Sequence, residues 1–114
     1  MNAVTPAHVI TSRLKPRAGG QSELIDLLRQ YSLRIHAEAG CLHYSIHRHP
    51  GDDHGALTVL QVYATAEAFR EHAAWMRSNL PDLAALLAGA PGSPTLLEQV
   101  LLTGNPKEAF VKIE

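Results

Sequence analysis

His72 stands where an imidazole could do chemistry, three residues after Phe69 and one before Ala73, on the border of an apolar helical stripe. With an ordinary pKa close to neutrality, such a group can accept or orient the proton of a substrate hydroxyl. The competing reading is a boundary histidine that bonds to a sheet residue and fixes the helix. Trp75 lies one turn further on the same flank, where it either stacks on a planar ligand or packs in the core. Tyr63 and Tyr44 can donate phenolic hydrogen bonds into a cavity or satisfy their hydroxyls at its rim. Phe69 completes the aromatic set around such a cavity, and Tyr63 ranks above Tyr44 because it adjoins the helix that carries His72.

Seven histidines occur in the chain, and His43, His47 and His49 crowd into one short stretch. His47 and His49 are two residues apart on an extended strand, roughly 6.5–7 Å between Cα atoms, a spacing that two ligands of one ion can use. No Cys, Asp or Glu follows at ligand spacing, so the residues are read as polar groups on a sheet face and no metal is assigned. Cys41 has no identifiable general base and reads as a small buried residue at a strand start. Ser12 and Ser45 lack a hydrolase elbow, and Gly19-Gly20 is a turn rather than a phosphate loop.

The elements that must position these groups can be read in order. Ala7 to Lys15 predicts a first strand, and Pro16 to Gly20 breaks it. From Gln21 to about Ala37, Leu24, Leu27, Leu28, Tyr31 and Ile35 follow helical spacing, with Gly40 expected at the C′ position. Cys41 to His49 predicts a second strand that stops at Pro50, and Pro50 to Gly55 is a turn. Leu57 to Tyr63 predicts a third strand. Thr65 then caps a helix from about Ala66 to Ser78 that buries Ala66, Phe69, Ala73 and Met76. Pro81 ends that helix or starts a short one through Leu83, Leu86 and Leu87. A loop from Gly89 to Pro94 leads to a strand over Thr95 to Thr103, and Lys107 to Glu114 is expected to form an extended arm.

The order β-α-β-β-α-β predicts an α+β, ferredoxin-like domain: a four-stranded antiparallel sheet with two helices on one face. In the second strand Leu42, Tyr44 and Ile46 should share a side opposite Cys41, His43, Ser45, His47 and His49. In the third, Leu57, Val59, Gln61 and Tyr63 oppose Thr58, Leu60 and Val62. Large apolar residues on both faces of the third strand predict that the uncovered face is buried against a second copy, as a homodimer.

Composition bounds the function. The chain has 114 residues, 46% hydrophobic and 18% charged, which fits a single folded domain. With 10 basic and 11 acidic residues and a formal charge of −1, it offers no basic stripe for nucleic acid or an anionic membrane. No run is long and apolar enough to span a bilayer, and no signal-peptide core is evident. The single cysteine cannot form an intramolecular disulfide, which is compatible with the cytoplasm.

Glu38-Ala39-Gly40-Cys41-Leu42-x-Tyr44 resembles the E-P-G-C-x-x-Y opening of the second strand in the antibiotic biosynthesis monooxygenase (ABM) domain. Val59-Leu60-Gln61-Val62-Tyr63, followed by Ala68-Phe69 and His72, resembles that family's V-L-x-E-x-W … A-F/L-x-x-H passage. Leu14-Lys15-Pro16 with the following glycines resembles its V-K-P-G turn. The resemblance implies a dimeric α+β barrel with a small-molecule pocket between sheet and helices in each protomer. It also implies oxygenation by O2 of a small aromatic, quinol-type substrate without metal or flavin, so that no cofactor is expected. In that chemistry His72 is the candidate base, with Tyr44, Tyr63, Phe69 and Trp75 around the substrate. The family also holds an isomerase, and two other readings stay open: a non-catalytic small-molecule-binding barrel, or an isomerase or cyclase using the same imidazole. This chain departs from the pattern at Gln61, where Glu is usual, and at Tyr63, where Trp is common. Features of the haem-degrading branch are missing: Val9 to Ser12 has no counterpart of its asparagine, and no histidine lies beyond Arg77.

Overall fold

A computed structural model describes residues 7–90 and 93–101. The lead-in before Ala7, part of the Gly89–Pro94 loop, the end of the fourth strand's window and the arm from Lys107 lie outside the described residues. The elements run β1 (His8–Leu14), α1 (Gln21–Ala37), β2 (Cys41–His47), β3 (Leu57–Tyr63), α2 (Ala66–Ala84) and β4 (Thr95–Glu98). The sheet has the order β2-β3-β1-β4, every pair antiparallel. Both helices connect strands that are not neighbours, and the fold is the ferredoxin-like α+β architecture. Among the described residues no helix is long and apolar enough to cross a membrane.

Helix α1 buries Leu24, Leu28, Tyr31 and Ile35, spaced four, three and four apart, so one stripe meets the sheet. Ile10 and Leu14 of β1 and Leu57, Val59 and Tyr63 of β3 meet it from below. Each fully buried side chain of this size contributes about 1.5–3 kcal/mol, so this stripe is the main anchor of the layer. Gln21, at the helix start, donates from Nε2 to the carbonyls of Asp52 (3.0 Å) and Gly55 (2.9 Å), clasping the β2–β3 loop to α1. Thr65 caps α2, its hydroxyl accepting from the Ala68 N–H at 3.1 Å.

Five expectations change. Strand β4 ends at Glu98, short of the window to Thr103, and Gln99, Val100 and Leu101 are not strand. Strand β2 stops at His47, so His49 falls in the turn, where its carbonyl accepts from the Asp52 N–H. A bulge between Cys41 and His43 re-aims the start of that strand: Cys41 pairs with Tyr63 and Tyr44 with Gln61, both on the helix-facing side. Cys41 is therefore core, 1% exposed, and does not share the face of His43. Gly40 is not a left-handed cap. Helix α1 leaves through Glu38 in an extended conformation, and Gly40 is needed because a Cβ there would run into Ala68 of α2. Finally, α2 continues through Pro81 to Ala84. The proline deprives the Arg77 carbonyl of its helical donor, a cost of about 3 kcal/mol that the burial of Leu83 two residues on helps to offset.

Candidate functional site

The site forms where α1 ends. Past Ala37 the backbone turns out of the helix, the Glu38 N–H bonding to the Ile35 carbonyl at 3.1 Å. The turn brings the chain under α2, and the Ala64 N–H on the Gly40 carbonyl (2.9 Å) fixes it there. The Glu38 carboxylate then reaches the start of α2, with Oε1 3.1 Å from His72 Nδ1. The Tyr63 hydroxyl lies 3.2 Å from the same Oε1 and 3.3 Å from Gln61 Oε1, and its one proton serves one acceptor at a time.

A carboxylate only accepts, so Nδ1 carries the proton and donates to Glu38, which leaves Nε2 of His72 with its lone pair. Among the described residues no buried side-chain nitrogen or oxygen lacks a partner, and Nδ1 is the ring nitrogen engaged, so Nε2 retains accessible surface. His72 as a whole is 4% exposed. Burial pushes its pKa below the ordinary histidine value, opposed by Glu38 and reinforced by the Arg34 charge. The imidazole is thus held neutral and oriented near neutral pH. Burial, with Glu38 behind it, raises the Tyr63 hydroxyl, and burial likewise raises Tyr44, so both phenols remain donors.

His72 borders a cavity of about 250 Å3 between the sheet and the helices. Its apolar walls come from Ile10, Val59, Leu28, Ile35 and Phe69, and its polar groups from Ser12, Tyr44, Gln61 and His72. Met76, Leu80 and Arg77 of α2 and Pro94 before β4 also border it. A mostly apolar space, open on one side and lined by a few convergent polar groups, suits a small, mostly apolar ligand whose hydroxyl meets the imidazole.

The residues read from the sequence divide. His72, Tyr44 and Phe69 lie in the cavity wall. Tyr63, wholly buried, lies outside the wall with its ring centroid 5.2 Å from that of His72, and acts through Glu38 and Gln61. Trp75 also stands apart: it meets Tyr31 edge-on at 5.2 Å, and the Arg34 guanidinium lies 4.8 Å from its ring centre. The stripe of α2 that faces the cavity runs through His72 and Met76, which turns Trp75 toward α1. Glu38 and Arg77 were not singled out by sequence, and Gln61 stood out only as a departure from the family pattern. Glu38 does sit in the motif that opens β2, but a bond spanning 34 residues has no local signature.

On the opposite sheet face, Ser45 Oγ lies 2.7 Å from Nε2 of both His43 and His47. The hydroxyl donates to one ring and accepts from the other. Among the described residues no group of three or more His, Cys, Asp or Glu side chains is arranged to hold a metal ion.

The profile described as "Antibiotic biosynthesis monooxygenase" matches residues 7–75, and the chain belongs to that family. No curated protein matches it at a significant level. Among solved structures it is similar to Rv0793 from Mycobacterium tuberculosis, at 25% identity over 88% of this chain and 100% of that one, TM-score 0.72. A protein of unknown function from Nitrosomonas europaea, NE2512, is similar at 16% identity over 89% and 96% of the two chains, TM-score 0.74. A variant of SnoaB from Streptomyces nogalater, a cofactor-independent oxygenase, is similar at 15% identity over 85% and 96%, TM-score 0.70. The last two similarities concern the fold.

Proposed function

We propose that this protein is a cofactor-independent monooxygenase that uses O2 to oxygenate a small electron-rich phenol or quinol. The observation that carries the reading is the Glu38–His72 pair: a neutral, carboxylate-oriented imidazole in the wall of a mostly apolar cavity, with Nε2 left free of Glu38. Nε2 takes the hydroxyl proton, and Glu38 stabilises the imidazolium that results. The substrate anion passes one electron to O2, and the radical pair joins to form a C–O bond as a peroxide. Proton return from the imidazolium and loss of water leave the oxygenated carbonyl product. One oxygen atom enters the substrate, the other leaves as water, and the substrate supplies the electrons. Neither metal nor flavin takes part. The chain's share is proton transfer, orientation and exclusion of water.

Dissolved-oxygen recording with naphthoquinols and anthrones tests this, and chelator-insensitive uptake above the rate of autoxidation is the expected result. Turnover without oxygen consumption would replace it with an isomerase or cyclase. A ligand-induced thermal shift with no turnover would replace it with a binding protein.

The protein is proposed to work as a homodimer. Val9, Leu60 and Val62 lie on the helix-free face, with Val9 opposite both Val62 and Leu97. Leu97 is 50% exposed in the single chain, apolar surface that a second copy would cover. Light scattering coupled to size exclusion at micromolar concentration should report twice the chain mass, and a monomer there rejects the pairing.

A further inference from the structure

Helix α2 turns an apolar stripe to the cavity through Phe69, Ala73, Met76 and Leu80, and Arg77 flanks it. Arg77 is the cavity's one cationic wall residue among the described residues, and no described Asp or Glu shares that wall. Other arginines are engaged elsewhere: Arg17 with Glu23, Arg29 with Asp26, Arg48 with Asp53, and Arg34 over Trp75. Arg77 makes no hydrogen bond or ion pair among the described residues. It is an exposed residue on the cavity wall, so it marks the open side, where a guanidinium stays hydrated until a ligand arrives. The fixed charge of the wall is therefore positive, away from the neutral His72.

Two further constraints narrow the ligand. Arg77 follows His72 by five residues, about 7.5 Å along the helix axis and about 140° around it, so the two flank the apolar stripe on opposite edges and address different ends of a bound molecule. The 250 Å3 cavity is smaller than the ~300–1,000 Å3 that drug-sized ligands occupy, which suits one or two rings.

We propose that the cavity selects a one- or two-ring aromatic bearing a carboxylate. Arg77 holds that carboxylate at the open side while a ring hydroxyl meets His72 at the closed end. The proposal rests on the reading of the cavity as a phenol site, but not on oxygenation. Arg77 sets specificity: its planar fork matches a carboxylate with two parallel hydrogen bonds.

Calorimetric titration with two compounds that do not react with O2 tests it: a hydroxynaphthoate with its two groups on opposite rings, and the uncharged naphthol. The wild-type chain should bind the acid roughly tenfold or more tighter, the scale of a charge-assisted hydrogen bond. In Arg77→Gln the ratio of the two dissociation constants should fall toward unity, in Arg77→Lys it should be intermediate, and in Arg70→Gln, off the cavity wall, it should match wild type. Equal affinities in the wild type, no binding of either compound, or a ratio unmoved by Arg77→Gln overturns the proposal. Oxygen uptake separates the two readings. Equal KM for charged and uncharged naphthoquinols would leave the oxygenase and remove the carboxylate preference. Selective binding without uptake would do the reverse.

Discussion

Histidines stand on both sides of this sheet, in contrasting settings. Toward the helices, His72 is bonded to a carboxylate and borders a cavity. On the outer face, His43 and His47 share a neutral hydroxyl, Ser45, on one strand. Burial lowers the pKa of both His72 and His43, but the next influences have opposite sign. Glu38 pulls His72 back up, whereas His47 pushes His43 further down. A carboxylate partner makes an imidazole a better proton acceptor, while an imidazole neighbour opposes taking a proton at all. The contrast teaches that histidine count is a poor guide to chemistry: the crowded rings share a hydroxyl and oppose each other's protonation, whereas the solitary one is bonded to a carboxylate.

The largest expected effect comes from removing the solitary imidazole. His72→Ala should lower kcat/KM for oxygen uptake about a hundredfold or more, the scale of a general base, and unchanged uptake would remove His72 from the mechanism. Glu38→Gln should cost about tenfold in kcat, because an amide orients Nδ1–H but cannot stabilise the imidazolium. Its pH profile is the sharper readout. Activity needs neutral His72 and falls as pH drops through that pKa. Loss of the carboxylate removes an upward influence, so the acid limb should move to lower pH. A limb that moves up would reverse the assigned coupling.

On the outer face, Leu60→Glu should convert a dimer to a monomer in light scattering while leaving the Glu38–His72 pair in place. A dimer that persists in this variant would place the interface elsewhere.

The smallest effect concerns acid stability. The folded-state pKa values of His72 and His43 lie below the ordinary 6.5, so the unfolded chain binds protons first as pH falls. Their contribution is complete above that value and is lost as pH drops through the folded values. His43→Asn should therefore flatten part of the fall in Tm between about pH 7 and 5, with oxygen uptake retained; a slope equal to wild type would rule His43 out as a contributor.

The sequence made the fold legible because its periodicities are clean. Leu24, Leu28, Tyr31 and Ile35 mark α1, and the alternation through Leu57, Val59, Gln61 and Tyr63 marks the helix-facing side of β3. The bulge at Cys41–His43 was not legible, because an extra residue in a strand leaves no period of its own. Pro81 misled for a related reason: a local rule ends the helix there, whereas packing at Leu83 carries it on. Within the site, His72 could be found from its place beside an apolar stripe. Glu38 and Arg77 could not, since their meaning depends on what the fold sets opposite them. Trp75 looked equivalent to His72 at helical spacing, yet one turn was enough to direct it toward Tyr31 instead of the cavity.

Gly40 has a wider consequence. Its backbone lies against Ala68, one helical turn before His72, and Glu38 is two residues upstream. The missing methyl group lets the chain seat closely enough for acid and base to touch. The spacing of Glu38 and His72 is thus governed by a residue that bonds to neither side chain, and evolution could loosen or retune their contact by enlarging position 40 while leaving both groups unaltered.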